Sequence, residues 1–214
     1  MRGFFITLEG PDGAGKSTQG RLLEAYLRGA GVDVLSTREP GGTPIGERIR
    51  QILLDTNHAE MAAETEMLLF AAARAQLVRQ VVRPALDGGT TVLSERYVDA
   101  SLAYQGYGRG LDLGLVRAVN EAATGGLLPD LTVLLDIDPE VGLHRAWTAA
   151  REGTRGGDRL EREALAFHQR VRAGFLELAR ESPKRFVVVD AQDDVERVHQ
   201  AVVQAVRELL GGRR

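Results

Sequence analysis

The sequence predicts an α/β fold in three layers: a five-stranded parallel sheet flanked by helices on both faces. Two observations predict it. Short apolar runs alternate five times with longer amphipathic stretches, and strands joined through helices run parallel with both sheet faces covered. The first run, residues 4–8, leads straight into Gly10-Pro11-Asp12-Gly13-Ala14-Gly15-Lys16-Ser17-Thr18, and helical spacing resumes at Leu22, Leu23, Tyr26 and Leu27. That segment fits G-x-x-x-x-G-K-[ST] in its required strand–loop–helix setting, which makes the expected architecture a P-loop NTPase fold.

Each further element reads locally. Gly29 and Gly31 end the first helix, and residues 32–37 alternate loosely as strand two. Arg38-Glu39-Pro40-Gly41-Gly42-Thr43 is rich in turn formers and is expected as a loop. Pro44 suits the start of a helix whose apolar face is Ile45, Ile49, Ile52 and Leu53. In residues 62–86, Met67, Leu68, Phe70, Ala71, Leu77, Val78, Val81 and Val82 point to a helix buried on more than one side, with Pro84 near its end. Residues 90–94 are β-branched and short, strand three, running into Glu95-Arg96-Tyr97. Residues 101–110 are expected as a glycine-broken loop after a short helix, and residues 113–123 as a helix. Leu131-Thr132-Val133-Leu134-Leu135-Asp136 is strand four, and Pro139 opens a helix carrying Val141, Leu143 and Trp147. Gly153, Gly156 and Gly157 loosen the chain. Then Leu160, Ala164, Phe167, Val171, Phe175 and Leu178 step along a long amphipathic helix. Phe186-Val187-Val188-Val189-Asp190 is strand five, and Val195, Val198, Val202, Val206 and Leu209 mark the closing helix.

No repeat, linker or low-complexity segment interrupts the 214 residues, so residues 1–214 are expected as one domain with a lid segment at about 145–160. A hydrophobic share of 43% supplies an ample core, and a net charge of −3 argues against nucleic acid or an acidic membrane as partner. Cysteine is absent, which excludes disulfides, thiolate catalysis and zinc–sulfur sites. His58, His144, His168 and His199 lack ligand spacing, so no structural metal is expected. With neither a signal-peptide pattern nor a membrane-length apolar stretch, the expected location is cytoplasmic.

In the glycine loop, Gly10, Gly13 and Gly15 let several backbone N–H groups converge, and the following helix adds the positive end of its dipole. Residues 10–18 are therefore expected to hold ATP, with Lys16 reaching the β- and γ-phosphates as a catalytic group and Ser17 ligating Mg²⁺. Lysine occurs only at Lys16 and Lys184, so Lys16 is not a generic surface charge. A compact ammonium fits between two phosphates where a planar guanidinium does not. Ligands of such sheets lie outside the carboxyl ends of the strands, which groups the glycine loop with residues 38–43, 95–105, 136–139 and 190–192 around one cleft.

Taken together, LEGPDGAGKST, TREPGGT, LLFAAARAQ, SERYVDASLAYQG, LLDIDP and GTRGGDRLE resemble the bacterial thymidylate kinase family over essentially the whole chain. The glycine loop is widely shared, whereas TREPGGT together with S-x-x-AYQG is far more specific. The resemblance implies phosphorylation of dTMP to dTDP with ATP, a Mg²⁺ requirement and a homodimer. It implies that Arg38 and Arg96 hold the dTMP phosphate, a task suited to guanidinium forks, with Arg96 also counting as a catalytic group. Phe70 would stack on thymine, a core phenylalanine being the alternative reading, and Arg74, one turn further on, would reach a base carbonyl. Ser101 and Gln105 offer donors and acceptors to the thymine edge. Tyr104 would press on the sugar near C2′, and Asp12 would accept from the 3′-OH. Arginines 151, 155 and 159 would form a cationic lid, with Asp158 and Glu161 ordering it or touching ligand. Gly13 and Ala14 leave the loop without an arginine of its own, so Arg151 or Arg155 is the expected catalytic arginine.

One position departs from the family pattern, which has aspartate where this chain has Glu95. The longer side chain still reaches Mg²⁺, most easily through a water. It also opens a rival reading, a deoxynucleoside kinase in which Glu95 takes the proton of a sugar 5′-OH. An alcohol needs that base; a phosphate monoester, with a second pKa of about 6, does not. TREPGGT and AYQG favour the phosphate acceptor. They also argue against a third reading, a nucleotide-switched binding module.

Overall fold

A computed structural model describes residues 2–151 and 158–212. Its strands are β1 (Phe5–Glu9), β2 (Val34–Arg38), β3 (Thr91–Glu95), β4 (Leu131–Asp136) and β5 (Phe186–Asp190). They lie in the order β2-β3-β1-β4-β5, and every neighbouring pair is parallel. The order switches direction at β1, flanked by β3 on one side and β4 on the other, and that switch point is where an open sheet leaves a crevice at its carboxyl edge.

The helices are α1 (Lys16–Gly29), α2 (Pro44–Leu54), α3 (Ala63–Leu77), α4 (Arg83–Asp87), α5 (Val98–Ser101), α6 (Leu113–Thr124), α7 (Pro139–Arg151), α8 (Leu165–Glu181) and α9 (Val195–Gly211). Successive strand residues point to opposite faces. Ile6 and Leu8 pack with Leu23 and Leu27 of α1 and Val202 and Val206 of α9. Phe5 turns the other way, onto Leu77, Val82 and Val92. A third cluster joins Met67, Leu134, Phe167, Val171 and Phe175. Each such fully buried side chain contributes about 1.5–3 kcal/mol of transfer free energy. Thr43 caps α2 by accepting from Gly46 N at 3.0 Å, and Pro44 takes the first helical position, where its missing N–H costs nothing.

Several expectations change. Of residues 62–86 all from Ala63 on are helical, but not uniformly α: the turn Val78–Val82 widens to π geometry, and the N–H of Arg83 reaches back five residues to Val78 O. Pro84, which has no N–H to donate, follows at once. Residues 101–110 are not a broken loop. Helix α5 continues as π-helical Leu102–Gly108. Its glycines serve close approach: a Cβ on Gly106 would stand 2.5 Å from Leu113 Cδ2, and one on Gly108 2.6 Å from the Phe167 ring. The Leu160 periodicity splits into a 3₁₀ turn, Leu160–Arg162, and α8 proper. Asp158 and Glu161 bond reciprocally there, each side chain accepting from the other's backbone N–H. Leu22, Ile45, Ile52, Leu68, Val141 and Trp147 are exposed rather than core.

Candidate active site

The glycine loop leaves β1 with positive φ at Gly10 (139°), Gly13 (74°) and Gly15 (87°). Gly13 also has no room for a side chain: a Cβ there would lie 1.9 Å from Gly142 O, so the loop rests on the backbone of α7. Gly15 caps α1 without any side-chain acceptor, leaving the first N–H groups of the helix for an anion. Lys16 is buried and folds over the loop, its Nζ donating to Gly10 O (3.0 Å) and Pro11 O (2.6 Å). Ser17 Oγ donates to Glu95 Oε2 at 2.8 Å across the carboxyl ends of β1 and β3. A hydroxyl and a carboxylate side by side form a hard oxygen donor pair, the kind Mg²⁺ uses alongside phosphate and water. Among the described residues no cluster of three or more His, Cys, Asp or Glu could hold a metal by itself.

Beside the loop stands Arg96, at a positive φ of 68° that non-glycine residues rarely adopt and that active sites often retain. Its Nη1 donates to Gly10 O (3.2 Å), and its Nη2 to Asp12 Oδ1 (2.7 Å) and Tyr104 Oη (3.0 Å). Tyr104 in turn donates to Asp12 Oδ2 at 2.8 Å. Burial opposes the charge of Arg96, but the carboxylates of Asp12 and Glu95 beside it help to outweigh that cost and hold its pKa above the ordinary arginine value. Burial also pushes the Tyr104 phenol well up, so it stays a neutral donor. Beneath them Glu9 is fully buried and accepts from Tyr97 N at 2.7 Å.

A cleft of about 570 Å³ runs from Gly13, Gly15, Lys16, Ser17 and Thr18 past Arg96 and Tyr104 to Phe70, Ser101 and Gln105. Arg38 stands at its rim, paired with Glu47 at 3.0 Å. Arg74 does not line it. The guanidinium is 1% exposed, and the protein engages all three nitrogens: Nε donates to Glu39 Oε2 (2.7 Å), Nη2 to Tyr97 O (3.0 Å), and Nη1 to Ser101 Oγ (2.9 Å) and to Asn120 Oδ1. Expected to reach a base carbonyl, Arg74 stands here behind Ser101. An arginine inside the alanine run 71–75 was the sequence signal for burial.

The lid expectation divides. Arg151 ends α7 and is exposed; Arg155 lies outside the described residues. Arg159 is not a lid cation but a buried anchor, donating to Leu53 O (3.1 Å) and Glu66 Oε2 (2.5 Å). Residues 136–139 and 190–192 do not line the cleft either. Asp136 is held bidentately by Arg172, and Arg145 covers the last loop by donating to Ala191 O and Gln192 O. Sequence reasoning missed Arg145 and Arg50, both in the cleft wall, because no local motif marks them. It also missed Glu66, which shares the first turn of α3 with Glu64 and Thr65 and so reads as an ordinary acidic helix start.

A phosphate loop facing a cationic, aromatic-lined lobe across one cleft suits phosphoryl transfer between two nucleotides. Fold and site thus define an ATP-dependent nucleoside monophosphate kinase. Residues 8–202 match the family model described as Thymidylate kinase, and the chain belongs to that family. It is 56% identical to the thymidylate kinase of Deinococcus radiodurans, over 97% of this chain and 98% of the relative. It is 48% identical to that of Thermoanaerobacter pseudethanolicus, over 98% and 100%. The crystal structure of thymidylate kinase from Ehrlichia chaffeensis superposes with a TM-score of 0.77 at 32% identity, covering 97% of this chain and 99% of that one.

Proposed function

We propose that the chain transfers the γ-phosphoryl group of ATP to dTMP, giving dTDP for dTTP synthesis. The observation that carries this reading is the hydrogen-bonded cluster of Arg96, Asp12 and Tyr104, which ties the glycine loop to the pocket of Phe70, Ser101 and Gln105. Residues 10–18 hold the ATP phosphates, and Lys16 cancels charge that grows between the β- and γ-phosphates. Arg96, with Arg38 at the rim, holds the dTMP phosphate in line. Asp12 takes the sugar 3′-OH, Tyr104 crowds C2′ against a ribose hydroxyl, and Phe70 stacks on the base. Arg151 or Arg155 supplies the catalytic arginine. When bound, Mg²⁺ supplies further neutralisation of phosphate charge, and Ser17 and Glu95 would hold it, directly or through water. Because dTMP is already a nucleophile at neutral pH, the chemistry is alignment and charge neutralisation. The contact between Ser17 and Glu95 favours a metal-holding role for Glu95 over that of a base, as a deoxynucleoside kinase would require.

An ADP-release assay tests this: turnover with dTMP is expected far above that with UMP or thymidine, and comparable turnover with thymidine would overturn it. A cytoplasmic location is part of the proposal, supported by the lack, among the described residues, of any helix long and apolar enough to cross a membrane. So is a homodimer. Ile45 and Ile52 of α2, Leu68 of α3 and Leu115 of α6 are exposed on helices that pack in sequence, α2 on α3 and α3 on α6. Sedimentation should show a dimer that Leu68→Glu dissociates; a monomeric native chain would sink this part.

A further inference from the structure

We propose that Glu66 is a positioning residue for base selectivity. Glu66 and Arg74 impose opposite hydrogen-bond polarities on Gln105 and Ser101, so that the cleft presents one acceptor and one donor to the pyrimidine edge. The inference rests on the reading that the acceptor nucleotide lies against Phe70, Ser101 and Gln105.

Glu66 is completely buried on α3. Its carboxylate accepts from Arg109 Nη2 (2.9 Å) and Nε (3.2 Å), from Arg159 Nη2 (2.5 Å) and from Gln105 Nε2 (2.8 Å). Two guanidiniums keep it ionised, and an ionised carboxylate can only accept. Gln105 must therefore turn its NH₂ group toward Glu66. The one other polar atom of that amide, Oε1, receives no hydrogen bond from the described residues, and Gln105 lines the cleft. Arg74 imposes the reverse on Ser101. A guanidinium can only donate, and its Nη1 donates to Ser101 Oγ, which leaves the hydroxyl its proton to donate, and Ser101 lines the cleft.

Glutamine and serine are each able to donate or accept. Here a partner of one fixed polarity, bonded to each, removes that choice. Thymine and uracil match the result, because N3–H donates and O4 accepts. Cytosine inverts both contacts, since its N3 accepts and its 4-amino group donates. A site built around buried hydrogen-bonding groups rejects a mismatched ligand far more strongly than an apolar pocket rejects one of the wrong size. Phe70 supplies the stacking surface and reads nothing of that edge.

The test compares kcat/KM for dTMP, dUMP and dCMP in the native enzyme and in Glu66→Gln. An amide at position 66 offers either polarity, so Gln105 is free to reverse. The dTMP-to-dCMP ratio is expected to fall by at least about tenfold. The dTMP loss should lie mainly in KM, and the dTMP-to-dUMP ratio should hold because those two share the edge. A purely structural role would lower dTMP and dCMP in proportion, and that result overturns the inference. Should Glu66→Gln not fold, the native enzyme with dTMP carrying ¹⁵N at N3 gives the answer by NMR. An imino proton protected from solvent exchange is expected; exchange as fast as in free dTMP overturns it. No turnover of dTMP by the native enzyme would overturn the substrate assignment itself, whereas turnover with an unchanged ratio overturns only the role of Glu66.

Discussion

The smallest unit of function is Lys16. Two neutral backbone carbonyls, Gly10 O and Pro11 O, fix the direction of its ammonium at the mouth of the loop. Removing a preorganised group of this kind costs about 10²–10³ in kcat. Lys16→Ala should show that loss in ADP release with an unchanged far-UV circular dichroism spectrum. Lys16→Arg should fail to restore it, because the planar fork does not fit the same gap. An equally severe loss of folded structure would count against a chemical role. Lys16 was legible in the sequence because its role depends on a contiguous motif. The role of Arg74 depends on Glu39, Ser101, Tyr97 and Asn120, scattered over 82 positions (39 to 120), so only its burial could be read from its neighbours.

At the scale of elements, strands were legible to within a residue or two, strand two starting at Val34 rather than at residue 32, because short apolar runs with sharp ends have few alternatives. Glycines were the weak point. In residues 101–110 they look like helix breakers, yet Gly108 lies in a helix because Phe167 and Val171 of α8 occupy the space a side chain would need. That meaning depends on a segment about 60 residues away. The two readings give opposite signs for Gly108→Ala. Helix propensity alone would stabilise by about 0.5–1 kcal/mol. A Cβ at 2.6 Å from Phe167 Cε2 and 2.9 Å from Val171 Cγ2, both side chains buried, overpacks the joint instead. Overpacking costs about 1–3 kcal/mol, or roughly 2–10 °C in Tm for a domain of this size. Calorimetry should show that fall; a rise in Tm would mean α8 yields and the contact is soft.

The molecule as a whole carries a buried acid at its centre. Glu9 ends the middle strand, with Asp99, Arg96, Lys16 and the N–H of Tyr97 around it. Asp99 is itself held by Arg185 through both oxygens, at 2.6 and 2.8 Å. Burial first, then the charge of Asp99, push Glu9 from 4.5 up to about 8, against the opposing pull of Arg96, Tyr97 N–H and Lys16. The native state therefore keeps this proton across the neutral range, whereas the unfolded chain releases it near the ordinary glutamate value. Where the native state binds more protons, stability falls as pH rises. The contribution is complete below about 4.5, declines through neutrality and is lost above about 8. Glu9→Gln keeps the acceptor for Tyr97 N and has no proton to lose. Urea unfolding of both proteins from pH 5 to 9 isolates the effect of Glu9 and its charged neighbours, because titrating groups remote from it cancel in the difference. The variant should gain on the native chain by up to about 1.4 kcal/mol per pH unit, more than about 1 kcal/mol in total, and the gap should level off above pH 8. Parallel stability curves would mean that Glu9 is ionised in the folded protein, with Arg96 and Lys16 outweighing burial.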